Sequence, residues 1–474
     1  MGNTLTFGIA IYLLAFIVPL IKNNTFEKKY IALFLSLTVF DAFVNLGYVI
    51  KLNSFILEYN ILTSIILFIP STYIFLTKKI NRSTLHWFSI LTICIVIGAL
   101  KSILTKQQVL GVGYQENWDD YFAIGKSISF VSFNLRQFIN MFGRFIITFV
   151  NVSAFFSIFN QHHLKILTKT IRTYTVMSLI LYIIEFYMYN IANDITFREK
   201  IVKLFGETED LYLVPRLFLN KISNPLLLLK EPSAVGFTLF IASCNEIFIF
   251  NYKNKKSSLF MLFFLVILMV LTSAMTTIIY LVILMISFLS SLFKKKRYIF
   301  IISILAFILL VPAVTTIYSH ELSEFLANYK SFKYGIPSFT SINAKVIRTY
   351  SIYIAIQQLL KNPIFGIGLG TSYAHSGIFT MLSNIGITGT ISFLMMTSTY
   401  HLNFKFKKSS KLLSIFFLCI MYSLSGHLSM LLYIQYTQIA LFLLTASNKC
   451  EKNNLIFTEK EKEIILYKNI LQAI

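Results

Sequence analysis

Residues 258–293 read SLFMLFFLVILMVLTSAMTTIIYLVILMISFLSSLF, without one charged side chain. Lys255 and Lys256 precede this stretch, and Lys294, Lys295, Lys296 and Arg297 follow it. A helix of about 20 apolar residues already crosses the hydrocarbon of a bilayer, so one helix of this length overshoots. With basic clusters at both ends, the spacing predicts two helices folded into a tight hairpin. Residues 412–446 repeat the pattern between Lys407–Lys411 and Lys449.

Further apolar stretches lie near 5–21, 30–50, 59–76, 85–104, 142–160, 174–191, 233–250, 298–317 and 377–400. With the two hairpins they make about 13 spans, within a range of 12–14. The composition agrees. Of 474 residues, 56% are apolar and 13% charged, about half the usual charged fraction of a globular domain, and the mean hydropathy is +0.71. This excludes a disordered tail, a nucleic-acid-binding arm and a disulfide scaffold. The expected fold is an all-α polytopic membrane protein, one integral domain over 1–474. Residues 5–21 lack a basic leader and a small-residue cleavage site, so they read as a retained first span. Cys94, Cys244, Cys419 and Cys450 show no CxxC or metal spacing, and no structural disulfide is expected.

The formal net charge of +22 follows the positive-inside rule. Segments 22–29, 77–84, 161–173, 251–257, 294–297 and 401–411 fall on one side of the predicted topology. They hold twenty Lys/Arg and one acid, Glu27. They and the tail 448–474 are expected to be cytoplasmic. His162, His163, Lys165, Lys169 and Arg172 form a basic turn that reads as an anionic-headgroup contact. Segments 105–141, 192–232 and 318–376 are then extracytoplasmic, and loops of such length are commonly functional. The two larger, 192–232 and 318–376, are expected to carry amphipathic helices and the chemistry. Asp41, Glu185 and Glu246 lie in or at the ends of spans, where ionisable groups are functional candidates by default. Asp41 and Asn45 share one helical face and also read as a packing contact.

Five arginines (Arg136, Arg144, Arg198, Arg216, Arg348) fall on the outer side or at its membrane edge. The guanidinium fork matches phosphate bidentately. An arginine at that depth also serves by snorkelling to headgroups. From Arg348 the chain runs RTYSIYIAIQQLLKNPIFGIGLGTSYAHSGIFTMLSNIGITG. An amphipathic helix bearing Arg348 ends before Asn362-Pro363. A turn with Gly366, Gly368 and Gly370 follows, and His375 stands just before the next span. Such glycines permit positive φ or close approach to a ligand. A histidine there takes a proton near neutral pH, or serves as a helix cap.

An Arg-bearing helix, Asn-Pro-hydrophobic-hydrophobic-Gly-hydrophobic-Gly, a His, and glycines at 386 and 389 together resemble the O-antigen polymerase and ligase superfamily. The likeness is close over about 50 residues and extends elsewhere only in topology. Leu271-Thr-Ser-Ala-Met-Thr-Thr277 resembles the start of a middle helix in that family, although Met275 stands where arginine is usual. Glu231-Pro-Ser233 is similar to a tripeptide of the polymerase branch, but Arg216 lies farther upstream of it than in that family. Ser376 follows His375 where asparagine is common.

The resemblance implies a glycosyltransferase that polymerises undecaprenyl-pyrophosphate-linked repeat units on the outer face of a bacterial inner membrane. It implies His375 as the base, Arg348 and Arg216 on the pyrophosphate, and Glu231 as a fallback base. Arg144, Arg136, Tyr350, Gly368 and Gly370 are expected to bind substrate. No nucleotide motif, Asp-x-Asp or metal-spaced cluster appears in the outer loops. No cofactor or metal is therefore expected, and arginines take the metal's part. The expected partners are the lipid-linked oligosaccharide, membrane lipid and a chain-length regulator protein, with no nucleic acid. An O-antigen ligase and a lipid-linked oligosaccharide flippase are the rival readings.

Overall fold

The computed structural model describes residues 7–43, 48–52, 55–106, 109–112, 128–160, 163–192, 194, 197, 200, 217–218, 222–223, 232–253, 256–272, 275–292, 344–374, 376–400 and 438–443. Among them are eleven helices: α1 Phe7–Lys22, α2 Phe26–Phe43, α3 Tyr59–Thr77, α4 Arg82–Thr105, α5 Leu135–Ile158, α6 Leu164–Asn190, α7 Pro232–Lys253, α8 Lys256–Leu271, α9 Met275–Leu292, α10 Ala344–Lys361 and α11 Gly377–Thr399. By length and composition, α4, α5, α6 and α11 are each able to cross a membrane. Shorter apolar helical stretches lie in α1, α3, α7, α8 and α9. The predicted hairpin over 258–293 is α8 and α9, divided at 272–274. The predicted span 298–317 lies outside the described residues, as does 412–446 apart from the helical residues 438–443.

Three short antiparallel two-stranded hairpins join the helices of this all-α architecture. They pair β1 Tyr48–Leu52 with β2 Phe55–Glu58, β3 Val109–Val112 with β4 Ile128–Val131, and β5 Leu217–Phe218 with β6 Ile222–Ser223. The predicted span 30–50 is thereby shortened, for α2 ends at Phe43 and Tyr48-Val-Ile-Lys-Leu52 is a strand. A short apolar run with β-branched residues suits either element, and pairing with Phe55–Glu58 decides it.

Side-chain contacts fix the direction of α3 against α2 and tie the other helices to them. Tyr30 of α2 meets Ser71 of α3 at 2.8 Å, and Phe40 meets Tyr59, so those helices run antiparallel. Thr84 at the start of α4 meets Thr399 at the end of α11 at 2.9 Å. Phe88 of α4 stacks on Phe149 of α5 with ring centroids 3.6 Å apart, and Phe34 of α2 stacks on Phe155 at 4.3 Å. Buried hydroxyls pair across helices, as Tyr12 does with Thr63 at 2.8 Å, which relieves polar groups where no water reaches them.

The result is an up-and-down bundle with two unlike ends. One end carries the β-hairpins, the 362–376 connection and the start of α11. The other carries the connections 23–25 and 78–81, where Lys78 donates to Glu27 at 2.6 Å. That contact raises the Lys78 ammonium above its ordinary pKa. Two expectations at this second end are corrected. His163 is buried, and its Nδ1 accepts from the Asn160 backbone N–H at 3.2 Å, so it closes the turn into α6. Arg172 is not turned wholly to headgroups, because its Nε lies 3.5 Å from the buried carboxylate of Glu246 on α7. His162 lies outside the described residues. Asp41 and Glu185 are buried within the bundle.

Candidate active site

The segment that connects α10 to α11 is shaped first by Asn362 and Pro363. The Asn362 N–H still bonds back to Gln358 O at 2.9 Å, but a proline cannot donate the next helical bond. The chain turns, and Gly366, Gly368 and Gly370 take φ values of +68°, +96° and +83°. A fourth glycine, Gly386, sits inside α11 with φ +70° and ψ −176° and breaks that helix.

The break and the turn satisfy each other. In an unbroken helix Ser383 O and Asn384 O would accept from residues 387 and 388. Here Ile387 N–H donates instead to Pro363 O at 2.8 Å. Ser383 O accepts from Ile367 N–H at 2.9 Å, and Asn384 O from Gly368 N–H at 3.0 Å. A Cβ on Gly386 would collide with the Ile364 carbonyl, and one on Gly366 with the carbonyls of Ser383 and Asn384. The two glycines, twenty positions apart, are thus required by one junction.

Helix α4 seals the junction from the side. Gly98 lets the Phe365 carbonyl approach to 2.6 Å of the point where a Cβ would stand. Ser102 Oγ reaches Ile367 O at 2.6 Å, and Lys101 Nζ donates to Asn362 Oδ1. Helix α5 closes another side. A Cβ on Gly368 would meet the Phe133 ring at 2.8 Å, and one on Gly370 would meet Met141 Sδ at 2.9 Å. Both glycines were expected to approach substrate, but the structure sets them against protein. Packing together with positive φ accounts for them.

Behind the turn lies a buried neutral network. Asn384 Oδ1 accepts from Ser372 N–H at 3.1 Å, while its Nδ2 donates to Ser372 O at 2.7 Å and Thr380 O at 2.8 Å. Thr380 Oγ1 accepts from Ala374 N–H at 3.0 Å and lies 3.0 Å from Ser376 O. Gln358 of α10 donates to Ser372 Oγ at 3.1 Å. Ser376 stands at the N-cap position of α11, and its buried Oγ has no hydrogen-bond partner among the described residues.

Of the residues singled out by sequence, Tyr350 is 4% exposed on α10 and stacks on Tyr353 with centroids 6.2 Å apart. Burial raises its phenol above the ordinary pKa. It packs as a core residue on the face that also buries Ser351, Ile354 and Ala355. Arg348 falls in α10, on the same helical stripe as Ser351 and Ala355. Arg136, Asn140 and Arg144 recur every fourth residue along α5, one stripe round from Gln137 and Met141, which border Gly370. Arg144 Nε donates to Asn140 Oδ1 at 3.0 Å. Among the described residues no acid pairs with Arg136, Arg144 or Lys101. His375, Arg216, Glu231 and Arg198 lie outside the described residues.

Lys101 carries a single charge within a stretch that otherwise reads as an apolar span, and a lysine near the end of a span is itself a signal. In the sequence, Glu231-Pro-Ser233 and Leu271–Thr277 read as separate pieces. The helices that follow them pack together, for Thr277 of α9 fills the space a Cβ on Gly236 of α7 would need, and Tyr280 stacks on Phe240 at 4.9 Å. Pro232 opens α7, the position where a proline loses no helical bond. Among the described residues no group of three His, Cys, Asp or Glu side chains gathers at a metal's spacing. No family model matches the chain, and no curated protein matches it.

Proposed function

We propose that the protein is a membrane glycosyltransferase that polymerises undecaprenyl-pyrophosphate-linked oligosaccharide units into O-antigen or a related surface polysaccharide. One observation carries the reading. The two halves of the motif, Asn362–Gly368 and Asn384–Gly386, form one hydrogen-bonded junction, at the bundle end where Lys101, Arg136 and Arg144 lie. In this reading that end faces the periplasm from a bacterial inner membrane, and the C-terminal tail is cytoplasmic.

The donor sugar arrives on a lipid pyrophosphate, already activated. The acceptor hydroxyl oxygen attacks the anomeric carbon from the face opposite the leaving group, so the configuration inverts. As the new bond forms, the anomeric carbon–phosphate oxygen bond breaks, and its electron pair leaves on the lipid pyrophosphate. The acceptor's proton passes to the imidazole of His375. Arg348 and Arg216 stabilise the negative charge that grows on the pyrophosphate, each being worth on the order of 100-fold in rate. Glu231 is the alternative base. Arg136 and Arg144 receive the anionic headgroup at the rim.

A transporter reading draws on one specific feature, the interruption of α11 at Gly386, since carriers bind substrate at broken helices. In carriers the freed backbone groups face the ligand. Here Ile387 N–H, Ser383 O and Asn384 O are all taken by the 363–368 turn, which favours a scaffold over a transport site. A ligase differs from a polymerase in its acceptor, and the Glu231-Pro-Ser233 start of α7 supports the polymerase.

Gel analysis of surface polysaccharide separates the polymerase from the other two. Cells lacking the protein should show a single capped repeat, and wild type should restore the ladder where His375→Ala does not. Loss of even the single repeat upon deletion, with lipid-linked units accumulating, would instead indicate a ligase or a flippase.

A further inference from the structure

The residues on either side of position 375 are anchored by two buried side chains of α11. Asn384 is 1% exposed and holds Ser372 through both its backbone N–H and its carbonyl. Thr380 is 2% exposed; its hydroxyl accepts from Ala374 N–H at 3.0 Å and lies 2.9 Å and 3.0 Å from Ala374 O and Ser376 O. Two interior side chains of α11 thus grip Ser372 and Ala374 before position 375 and Ser376 after it. Asn384 is itself fixed, because the next two positions lead into the Gly386 break, and its own carbonyl takes the Gly368 N–H at 3.0 Å.

Every bond in this grip is between neutral groups and is buried, where an unmade hydrogen bond costs most. A loose surface turn between two helices would need none of them. The arrangement suits a residue whose reach must be held to a fraction of an ångström, as a general base requires.

We infer that Asn384 and Thr380 are positioning residues for the general base, acting through the neighbouring residues 372–374 and 376 that they hold. The inference rests on the proposed function, since it gives His375 the role of base. It adds that the catalytic geometry depends on α11's own interior polar side chains.

The test uses the full-length protein in proteoliposomes with a lipid-linked repeat unit, scored by initial rate, KM and abundance. Asn384→Ala should lower kcat by roughly 30-fold, because a displacement of about 1 Å in a catalytic group costs up to about 100-fold. KM should stay within about threefold, since no substrate contact is removed. Thr380→Val should act the same way more weakly, and Thr380→Ser, which keeps the hydroxyl, should restore the wild-type rate. The deciding variant is the pair. Asn384→Ala added to His375→Ala should lower the residual rate no further, because a misplaced base and an absent base are equivalent.

Multiplying losses in the double variant would make Asn384 a purely structural residue and overturn the inference alone. So would a wild-type kcat for Asn384→Ala at normal abundance. Should Asn384→Ala fail to accumulate, the Thr380 pair decides, and equal rates for its Val and Ser forms overturn the inference. A His375→Ala protein that keeps the wild-type rate removes the base itself, and the proposed mechanism falls with the inference.

Discussion

The α10–α11 junction and the opposite end of the bundle hold their buried polar groups by different means. At the α10–α11 junction the partners are neutral: backbone groups exchanged across Gly386, and the amide of Asn384. At the opposite end a buried carboxylate, Glu246, is matched by the guanidinium of Arg172, with Ser258 of α8 beside it. The difference teaches where charge is free to act. The second end spends its arginine on structure. The junction is built from amides, hydroxyls and glycines, and leaves Lys101, Arg136 and Arg144 without an acidic partner among the described residues.

The largest expected effect comes from breaking the neutral junction. Gly386→Ala puts a Cβ against the Ile364 carbonyl at a positive φ. Strain and collision together should cost about 3 kcal/mol or more, read as loss of folded protein in membranes and a lower melting temperature in detergent. Unchanged abundance and melting would show that the turn does not depend on that break.

Next is the charged end. Arg172→Ala strands a buried carboxylate, and removal of one partner of a buried pair costs about 3 kcal/mol. Arg172→Met combined with Glu246→Leu should recover most of that stability, because a well-packed apolar pair replaces the ions. If the double variant is as unstable as the single one, the pair matters for more than its own charge balance.

A smaller effect is expected where α4 meets the junction. Lys101→Met removes the partner of Asn362 Oδ1 and should cost about 1 kcal/mol in detergent melting. The smallest stability effect belongs to Arg136→Ala, on an exposed side chain. It should leave melting within about 0.5 kcal/mol, yet slow polymer formation several-fold if the rim receives the pyrophosphate. A rate loss for Arg136→Ala without a melting change, set beside the reverse for Arg172→Ala, would sharpen the contrast between the ends.

These differences were unevenly legible in the sequence. The α8–α9 hairpin was plain, because its length and flanking lysines leave few alternatives. Strand β1 was not, since Tyr48–Leu52 is as apolar as the helix before it and only its partner strand distinguishes it. The glycines of the turn were visible, but their partner Gly386 is a tertiary fact, and a positive φ alone does not say whether a ligand or a neighbouring helix comes close. Arg172 looked like a headgroup anchor because its carboxylate is seventy-four positions away. Lys101 was lost in an apolar window. The outer arginines and His375 were legible as chemistry without geometry.

The most direct measurement is elongation of a purified lipid-pyrophosphate-linked repeat unit by the reconstituted full-length protein, without nucleotide sugar. The account predicts a ladder of lengthened lipid-linked products from wild type, and elongation slowed by about 100-fold or more in Arg348→Ala or His375→Ala at equal abundance. A wild-type protein that moves the lipid-linked unit across the bilayer but never lengthens it would contradict the account.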